Sequence, residues 1–306
     1  MVASVKKTKS RKDELLPPGK SSLDLRKLPT SVIDVKSIIG LVGARNSGKT
    51  VCTIDIIHKI RDKVSTAVIF SESEIVSGTF SKVFPETYVY PKMSQEALEN
   101  IFLRQTRVTK SPPPGVTNTR ILLIFDDCAS DKKNIRSENF ERLFILGRHF
   151  GIMVMVLVQY LIALPPACRQ NCDYVFCAQE LIDEMRKKMF REFFSIFKKP
   201  ALFNAAMDYY TKDFGLLVLH TKNRTGVLED TVFWYKATHT VCDFTVGNRE
   251  YWRLHELFFK EEDDLTFDWQ SFRKDVRAVE LGDSNKEVDA CNVELFRRLD
   301  ENGEPC

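Results

Sequence analysis

The pattern of hydrophobic and polar positions changes near residue 37. Residues 1–30 are rich in Lys, Ser and Pro without a sustained period, and Pro17-Pro18-Gly19 would end any helix there. Beyond residue 37, short runs of consecutive apolar residues alternate with stretches of helical periodicity. Consecutive apolar positions predict strands that are covered on both faces. The predicted strands span residues 37–42, 66–71, 121–126, 152–158 and 174–177, with 215–220 and 232–235 at the sheet edge.

The segments between the first four predicted strands show the periodicity of amphipathic helices. Apolar residues recur on one face over residues 49–61 and 94–104, and a third helix, over 137–146, begins after a capping residue at Ser137. Alternating strands and helices predict an α/β fold with a mainly parallel, doubly wound sheet flanked by helices. Residues 186–199 interleave Lys and Arg with Met and Phe; helical spacing favours an amphipathic helix packed on the core over a nucleic-acid patch.

Composition is that of a globular protein, and charge adds one feature. Of the 306 residues, 43% are hydrophobic and 28% are charged, and the net charge is +3. Basic residues nevertheless crowd the first twenty positions, at Lys6, Lys7, Lys9, Arg11, Lys12 and Lys20. This arm can bind phosphate backbones or acidic partners, or be a solvated terminus, and the sequence leaves both interpretations open.

Cysteine usage and hydropathy indicate an intracellular soluble protein. The eight cysteines include no CxxC pair, which favours buried free thiols in a reducing compartment. Cys168, Cys172 and Cys177 lie close together, but their spacing matches no common zinc pattern. The longest apolar run, residues 151–164, is interrupted by Gln159 and is too short to span a bilayer, so we expect no membrane association.

A phosphate-binding loop follows the first predicted strand. Residues 43–50 satisfy the GxxxxGK[ST] pattern, with a strand before them and a helix after them. The nucleotide-binding candidates are Gly43, Ala44, Arg45, Asn46, Ser47, Gly48, Lys49 and Thr50. Glycines allow backbone N–H groups to converge on phosphate oxygens, Lys49 neutralises the β and γ phosphates, and Thr50 can bind Mg²⁺. The loop therefore predicts nucleotide binding, with ATP and Mg²⁺ as the cofactors.

Polar residues at two later strand ends indicate hydrolysis. The strand over 121–126 ends in Asp126, a candidate Mg²⁺ ligand, and Asp127, a candidate to orient or deprotonate the attacking water. Gln159 follows the strand over 152–158, where it can sense the γ-phosphate or position water. The alternative is that these residues only begin turns.

Arg148 and Arg169 are candidates to stabilise the transition state from a neighbouring subunit. Arg148 precedes the strand that leads to Gln159, and Arg169 lies in the connection to the next strand. Exposed ion pairs on the surface are the alternative role for either arginine.

These motifs together resemble the viral DNA-packaging ATPases of large nucleocytoplasmic DNA viruses, a branch of the FtsK/HerA superfamily. The resemblance covers residues 35–237 and rests on GARNSGKT, ILLIFDD, GRHFGIMVMVLVQ, LPPACRQNCDYVF and FWYKA. It implies a P-loop NTPase fold of the ASCE or RecA-like type, with the catalytic strand beside the phosphate-loop strand. Asp127 departs from the wider superfamily, in which cellular relatives usually have Glu.

The resemblance also implies partners and a location. It implies a ring homo-oligomer of five or six subunits that translocates double-stranded DNA into a capsid without reading sequence, together with capsid or portal proteins. The protein would act in the cytoplasm of the infected host cell or in the virion. Arg104, Arg107, Lys110 and Arg120 surround a proline-rich loop at residues 111–115, which can contact DNA phosphates or be a solvated linker.

We therefore divide the chain into a flexible basic N-terminal arm (1–30), a P-loop ATPase domain (31–237) and a C-terminal extension with an acidic tail (238–306). A nucleoside or small-molecule kinase is the main alternative function, since kinases also place a phosphate loop on a parallel sheet. A GTPase is less consistent with the sequence, because no NKxD element follows the acid strand.

Overall fold

A single mixed sheet of eight strands forms the centre of the molecule. The computed structural model describes residues 24–112, 116–223, 225–238 and 244–259. The strands are β1 Ile38–Val42, β2 Thr66–Ser71, β3 Val89–Tyr90, β4 Ile121–Asp126, β5 Ile152–Val158, β6 Tyr174–Cys177, β7 Leu216–His220 and β8 Val232–Tyr235. Their order is β3-β2-β4-β5-β1-β6-β7-β8. The first six in this order run parallel, and β7 is antiparallel to both of its neighbours.

Helices cover both faces of this sheet. They are α1 Lys49–Ile60, α2 Glu74–Ser77, α3 Gln95–Lys110, α4 Glu138–Leu146, α5 Pro166–Gln170, α6 Asp183–Glu192, α7 Pro200–Tyr210, α8 Leu228–Thr231 and α9 Arg249–Phe258. Residue alternation along β1 separates two cores: Ile39 packs in the same cluster as Ile56 of α1, while Ile38 shares the other cluster with Ile101 of α3. None of the described helices is long and apolar enough to cross a membrane.

The predicted mainly parallel α/β fold is confirmed, and each of the seven predicted strands is present with bounds shifted by one residue at most. The pattern missed β3, because a strand of two residues has no periodicity to detect. The cap at Ser137 is also confirmed, since its Oγ accepts the N–H of Phe140 at 3.2 Å.

One expectation about strand order is wrong. The acid strand β4 does not lie beside the phosphate-loop strand β1, because β5 lies between them and pairs with both. Val42 is in register with Val158, and Asp126 is in register with Leu157. The strand that ends at Gln159 therefore separates the phosphate loop from the acid pair.

Two of the basic segments differ from expectation. Helix α3 continues to Lys110, and the buried Arg104 donates a hydrogen bond to Gln105 inside the fold, so Arg104 is not available for DNA. Within the predicted proline-rich loop, residues 113–115 lie outside the described part. Helix α6 packs Met189 and Phe190 on the core, as an amphipathic helix would, but it ends at Glu192 rather than near residue 199.

Both ends of the described chain pack on the sheet. Leu25 and Leu28 are buried, and so is Tyr251 of α9, whose hydroxyl donates to the carbonyl oxygen of Ala67 at 2.7 Å. The predicted basic residues of the arm and the acidic tail lie outside the described residues. The division of the chain into three segments remains a prediction.

Five cysteines are described, and all are free and buried, as predicted. They are Cys52, Cys128, Cys168, Cys172 and Cys177. Burial raises the pKa of each thiol, to about 12 for Cys128 and Cys168, so these thiols are held in the protonated, unreactive form. Cys242, Cys291 and Cys306 lie outside the described residues.

Candidate nucleotide site

The phosphate loop leaves the carboxyl end of β1 and enters α1. Its first residue, Gly43, donates its backbone N–H to the carbonyl oxygen of Val158 at 3.2 Å. A Cβ atom on Gly43 would lie 2.4 Å from Ser47 Oγ and 2.6 Å from Ala178 Cβ, so only glycine fits there. Gly48 caps the N-terminus of α1 with φ 88°, a left-handed conformation that glycine adopts readily.

Lys49 lies at the centre of this loop. Its side chain is buried, and Nζ donates to the carbonyl oxygens of Gly43 at 2.8 Å and Ala44 at 2.9 Å. Burial lowers the pKa of Lys49, while the charges of Asp127 and Asp126 oppose that shift. The ammonium group is thus held where the loop and the acid pair meet.

A cavity of about 470 Å³ opens beside the loop. Its lining consists of Asn46, Ser47, Gly48, Lys49, Thr50, Val51, Asp213, Phe214, Lys236 and Ala237. Ser47 Oγ is buried without a hydrogen-bond partner among the described residues, so it has a free donor and acceptor at the loop. The residue types and the orphaned hydroxyl fit a bound phosphate chain.

Asp126 is the more buried of the two acids. It is 5% exposed, and its Oδ2 accepts hydrogen bonds from Ser71 at 3.2 Å and Ser73 at 3.4 Å. Burial, followed by the charge of Asp127, raises the pKa of Asp126 to about 6. Neither serine was predicted from the sequence. The signal that could have indicated them is the polar end of β2, the strand next to β4.

Asp127 follows β4 in an uncommon backbone conformation. Its φ is 52°, in the left-handed region that Asp tolerates better than most residues. Its N–H donates to Leu157 O at 3.2 Å, so the turn is attached to β5. Non-glycine residues with such backbone geometry are concentrated at functional sites.

Gln159 follows β5 at the same edge of the sheet, between the ends of β1 and β4. Its side chain is half-buried and lines a small apolar cavity that also includes Tyr160, Glu180, Lys188 and Met189. The strand order therefore places Gln159 in the group, although its side chain does not line the larger cavity at the phosphate loop.

The two candidate arginines have different surroundings. Arg148 is exposed and precedes the amino-terminal end of β5. The phosphate loop lies at the carboxyl ends of the strands, about 20 Å away along the seven-residue strand. Arg169 is held in its own chain, since it donates to the carbonyl oxygens of Ile162 and Leu164 and lies 3.6 Å from the Glu192 carboxylate. Neither arginine lines the cavity at the phosphate loop.

The far wall of the cavity contains residues that the sequence did not indicate. Phe214 lies against Gly48, because a Cβ on Gly48 would be 3.3 Å from its ring. Lys236 and Ala237 also line this wall. They end the FWYKA motif, which contributed to the family resemblance but was assigned no function from the sequence. A single aromatic residue between a helix and a strand has no sequence signal that separates it from a core residue.

A polar cluster fixes that wall to α1. Asp55 is 8% exposed and accepts hydrogen bonds from Lys59 at 2.6 Å, from the Tyr235 hydroxyl and from the Thr238 hydroxyl at 2.7 Å. Burial alone would raise the pKa of Asp55, but these hydrogen bonds outweigh it and lower the pKa. The cluster thereby connects the helix after the phosphate loop to the residues on either side of Lys236 and Ala237.

Comparisons with known proteins agree with the resemblance. The chain is similar to uncharacterized protein 015R of Frog virus 3 (isolate Goorha), 27% identical over 274 residues that cover 89% of this chain and 81% of the relative. Uncharacterized protein L437 of Acanthamoeba polyphaga mimivirus is 26% identical over 251 residues, covering 78% and 84% of the two chains.

Among solved structures, the chain is similar to the genome packaging NTPase B204 from Sulfolobus turreted icosahedral virus 2 in complex with AMPPCP. The identity is 16%, the TM-score is 0.48, and the match covers 67% of this chain and 100% of that chain. Residues 30–254, most of the chain and all eight strands, match the family model described as Poxvirus A32 protein. The chain belongs to this family, which confirms its resemblance to the DNA-packaging ATPases of large nucleocytoplasmic DNA viruses.

Proposed function

We propose that the chain is an ATP-hydrolysing motor that translocates double-stranded DNA and packages a viral genome into a capsid. The observation that carries this proposal is the shared edge of β1, β4 and β5, where the phosphate loop, the acid pair and Gln159 follow three adjacent strands. A binding module needs only the loop. The acid pair beside it supports hydrolysis.

The roles follow from charge and position. Water attacks the γ-phosphorus, the bond to the β,γ-bridging oxygen breaks, and ADP and inorganic phosphate are released. Asp127 orients the water and accepts its proton, Lys49 balances charge on the β and γ phosphates, and Gln159 senses the γ-phosphate or helps to position the water.

Thr50 and Asp126 are the residues that would hold Mg²⁺. A hydroxyl and a buried carboxylate are hard oxygen donors of the kind that Mg²⁺ prefers. A cation beside Asp126 would stabilise its charged form and so oppose the rise in pKa that burial causes. When bound, the ion would neutralise charge on the phosphate oxygens.

Arg148 is the better candidate for an arginine that acts in a neighbouring subunit of a ring homo-oligomer. It is exposed, whereas Arg169 is held by carbonyl oxygens and Glu192 in its own chain. Because its guanidinium is exposed and far from its own phosphate loop, Arg148 would have to act on the loop of another subunit.

DNA contacts that do not read sequence are proposed for Arg107 and Lys110 at the end of α3, which are exposed, and for the half-buried Arg120. Capsid or portal proteins are further proposed partners, and the infected-cell cytoplasm or the virion is the proposed location. Family membership supports DNA translocation and this location, and it goes against the nucleoside-kinase alternative.

A triplex-displacement assay tests the motor proposal. The protein, ATP and a linear duplex carrying a third strand are mixed, and release of the third strand reports translocation along the duplex. We expect release with ATP and none with a non-hydrolysable analogue or with Lys49→Ala. Hydrolysis of ATP without release on any duplex, with capsid proteins present or absent, would contradict the motor proposal.

A further inference from the structure

We propose that Phe214 is the stacking surface for the adenine base of the bound nucleotide. This inference rests on the proposed function, since it assigns the base-binding end of the same cavity.

The cavity at the phosphate loop has a polar end and an apolar end. Ser47 and Lys49 lie at the loop, whereas Val51, Phe214 and Ala237 supply apolar surface. At about 470 Å³, the cavity exceeds what a phosphate chain requires and has the size of small-molecule sites. A nucleotide with phosphates on the loop therefore has room for its base in the same cavity.

Phe214 is presented to this cavity rather than buried in the core. Phe214 is 62% exposed, an unusual state for a phenylalanine, and its ring lies beside Gly48 at the start of α1. The ring face is thus accessible to a flat ligand within one residue of Lys49. Nucleic-acid bases stack on exposed aromatic side chains, because every base has a flat π-face.

The backbone holds the ring in that position. Asp213 and Phe214 have φ values of 50° and 63°, two consecutive non-glycine residues in the left-handed region. Gly215 follows, and a Cβ there would lie 2.1 Å from Tyr210 O, so the turn is closely packed against the end of α7. Such strain persists only where surrounding structure enforces it, and it is common at ligand-binding clamps.

The neighbouring wall is fixed to the same helix as the phosphate loop. Lys236 and Ala237 line the cavity, and the residues on either side of them, Tyr235 and Thr238, donate hydrogen bonds to Asp55 of α1. The base end and the phosphate end of the cavity are therefore held in one rigid unit, which suits recognition of one ligand that spans both.

Binding of two ligands to the full chain tests this assignment. Isothermal titration calorimetry compares a non-hydrolysable ATP analogue, which has a base, with inorganic tripolyphosphate, which has none. The variants are Phe214→Ala, which removes the ring, Phe214→Trp, which enlarges it, and Tyr209→Ala, a matched control that removes an aromatic ring 71% exposed on α7 outside the cavity lining.

We expect Phe214→Ala to weaken binding of the analogue by about 5-fold to 100-fold, and to leave tripolyphosphate binding within about 2-fold. Phe214→Trp should bind the analogue as wild type does, with a change in indole fluorescence, and Tyr209→Ala should match wild type for both ligands.

Wild-type affinity of Phe214→Ala for the analogue would overturn the inference, and so would an equal loss of both ligands. In either case, the proposal that the phosphate loop binds nucleotide would still be supported if wild type binds the analogue and Lys49→Ala does not. Failure of wild type to bind either ligand would instead refute the proposed function, and with it this inference.

Discussion

The backbone N–H of Asp127 donates to the carbonyl oxygen of Leu157 at 3.2 Å. This hydrogen bond attaches the turn after the acid strand β4 to the strand β5 that ends one residue before Gln159. Because Gly43 N–H donates to Val158 O on that same strand, β5 holds the phosphate loop on one side and the acid pair on the other. The three proposed catalytic elements are thus positioned by one strand.

Asp127→Asn should bind ATP as wild type does and lose turnover by about 100-fold or more, because the amide cannot accept the proton of the attacking water. Steady-state phosphate release and analogue binding measure the two effects separately. Asp62→Asn, at a carboxylate 85% exposed and outside the cavity lining, is the control and should hydrolyse ATP normally. An Asp127→Asn protein with wild-type turnover would remove the assignment of Asp127 as the base.

Lys49→Ala should abolish detectable ATP binding, since it removes the buried cation next to Gly43 and Ala44 and leaves their carbonyl oxygens without its hydrogen bonds. Binding of a fluorescent ATP analogue measures this loss. Lys187→Ala is the control, because Lys187 is on the surface of α6 and pairs only with Glu184 in the described contacts. Retention of wild-type affinity by Lys49→Ala would be inconsistent with the assigned loop.

Gly43→Ala should weaken nucleotide binding strongly and lower stability by about 1–3 kcal/mol. Its Cβ would overlap Ser47 Oγ at 2.4 Å and Ala178 Cβ at 2.6 Å, so the loop would have to move. Gly147→Ala is a matched control, since its Cβ would meet Ile152 at an ordinary 3.5 Å. Thermal unfolding with and without ATP checks both variants, and equal behaviour of the two would contradict the close-packing argument.

The sequence predicted what depends on local pattern. Consecutive apolar residues located the strands of four residues or more, and the GxxxxGK[ST] pattern located the loop, because each has a signal within a short window. Strand order is different. That β5 lies between β1 and β4 is a long-range property, and no spacing along the chain encodes it.

Roles that arise from tertiary contacts also had no local signal. Phe214 is one aromatic residue among 22 phenylalanines, and only its exposure and its position beside Gly48 distinguish it from the core. For Arg104 the local signal pointed to the wrong role. A basic residue near a proline-rich loop suggested DNA contact, but Arg104 lies on the buried face of α3.

Stability of the nucleotide-free protein should depend on pH through Asp126. Burial raises its pKa from 3.8 to about 6, so the folded carboxyl holds its proton more tightly than the unfolded chain does. Stability from this group is therefore greatest below about pH 4 and is lost as the pH rises through about 6. Relative to wild type, Asp126→Asn should gain up to about 3 kcal/mol across this interval.

Urea unfolding of wild type and Asp126→Asn in EDTA, from pH 4 to pH 8, measures that difference. Asp62→Asn, at a carboxylate that is 85% exposed, is measured over the same interval as the control. A stability gain for Asp126→Asn that is constant with pH would contradict a raised pKa.

Asp55→Ala should destabilise the fold by about 3 kcal/mol, because it leaves the Tyr235 hydroxyl and Lys59 without their buried partner. The change should also weaken ATP binding, since Lys236 and Ala237 lose their attachment to α1. Chemical unfolding and analogue binding test the two effects. Asp230→Ala is the control, because it removes only an exposed ion pair with Arg26 and should have little effect on stability or on ATP binding. A similarly small effect of Asp55→Ala would contradict the role of the polar cluster in attaching the cavity wall to α1.

ATP hydrolysis by the purified protein, measured with and without long double-stranded DNA and together with particle mass, is the sharpest test of a DNA-translocating ATPase. We expect a ring-sized oligomer that hydrolyses ATP, a rate that DNA of any sequence raises severalfold, and loss of both the basal and the stimulated rate in Asp127→Asn. Assembled wild-type protein that hydrolyses no ATP, or whose turnover is the same with and without DNA and capsid partners, would contradict this function.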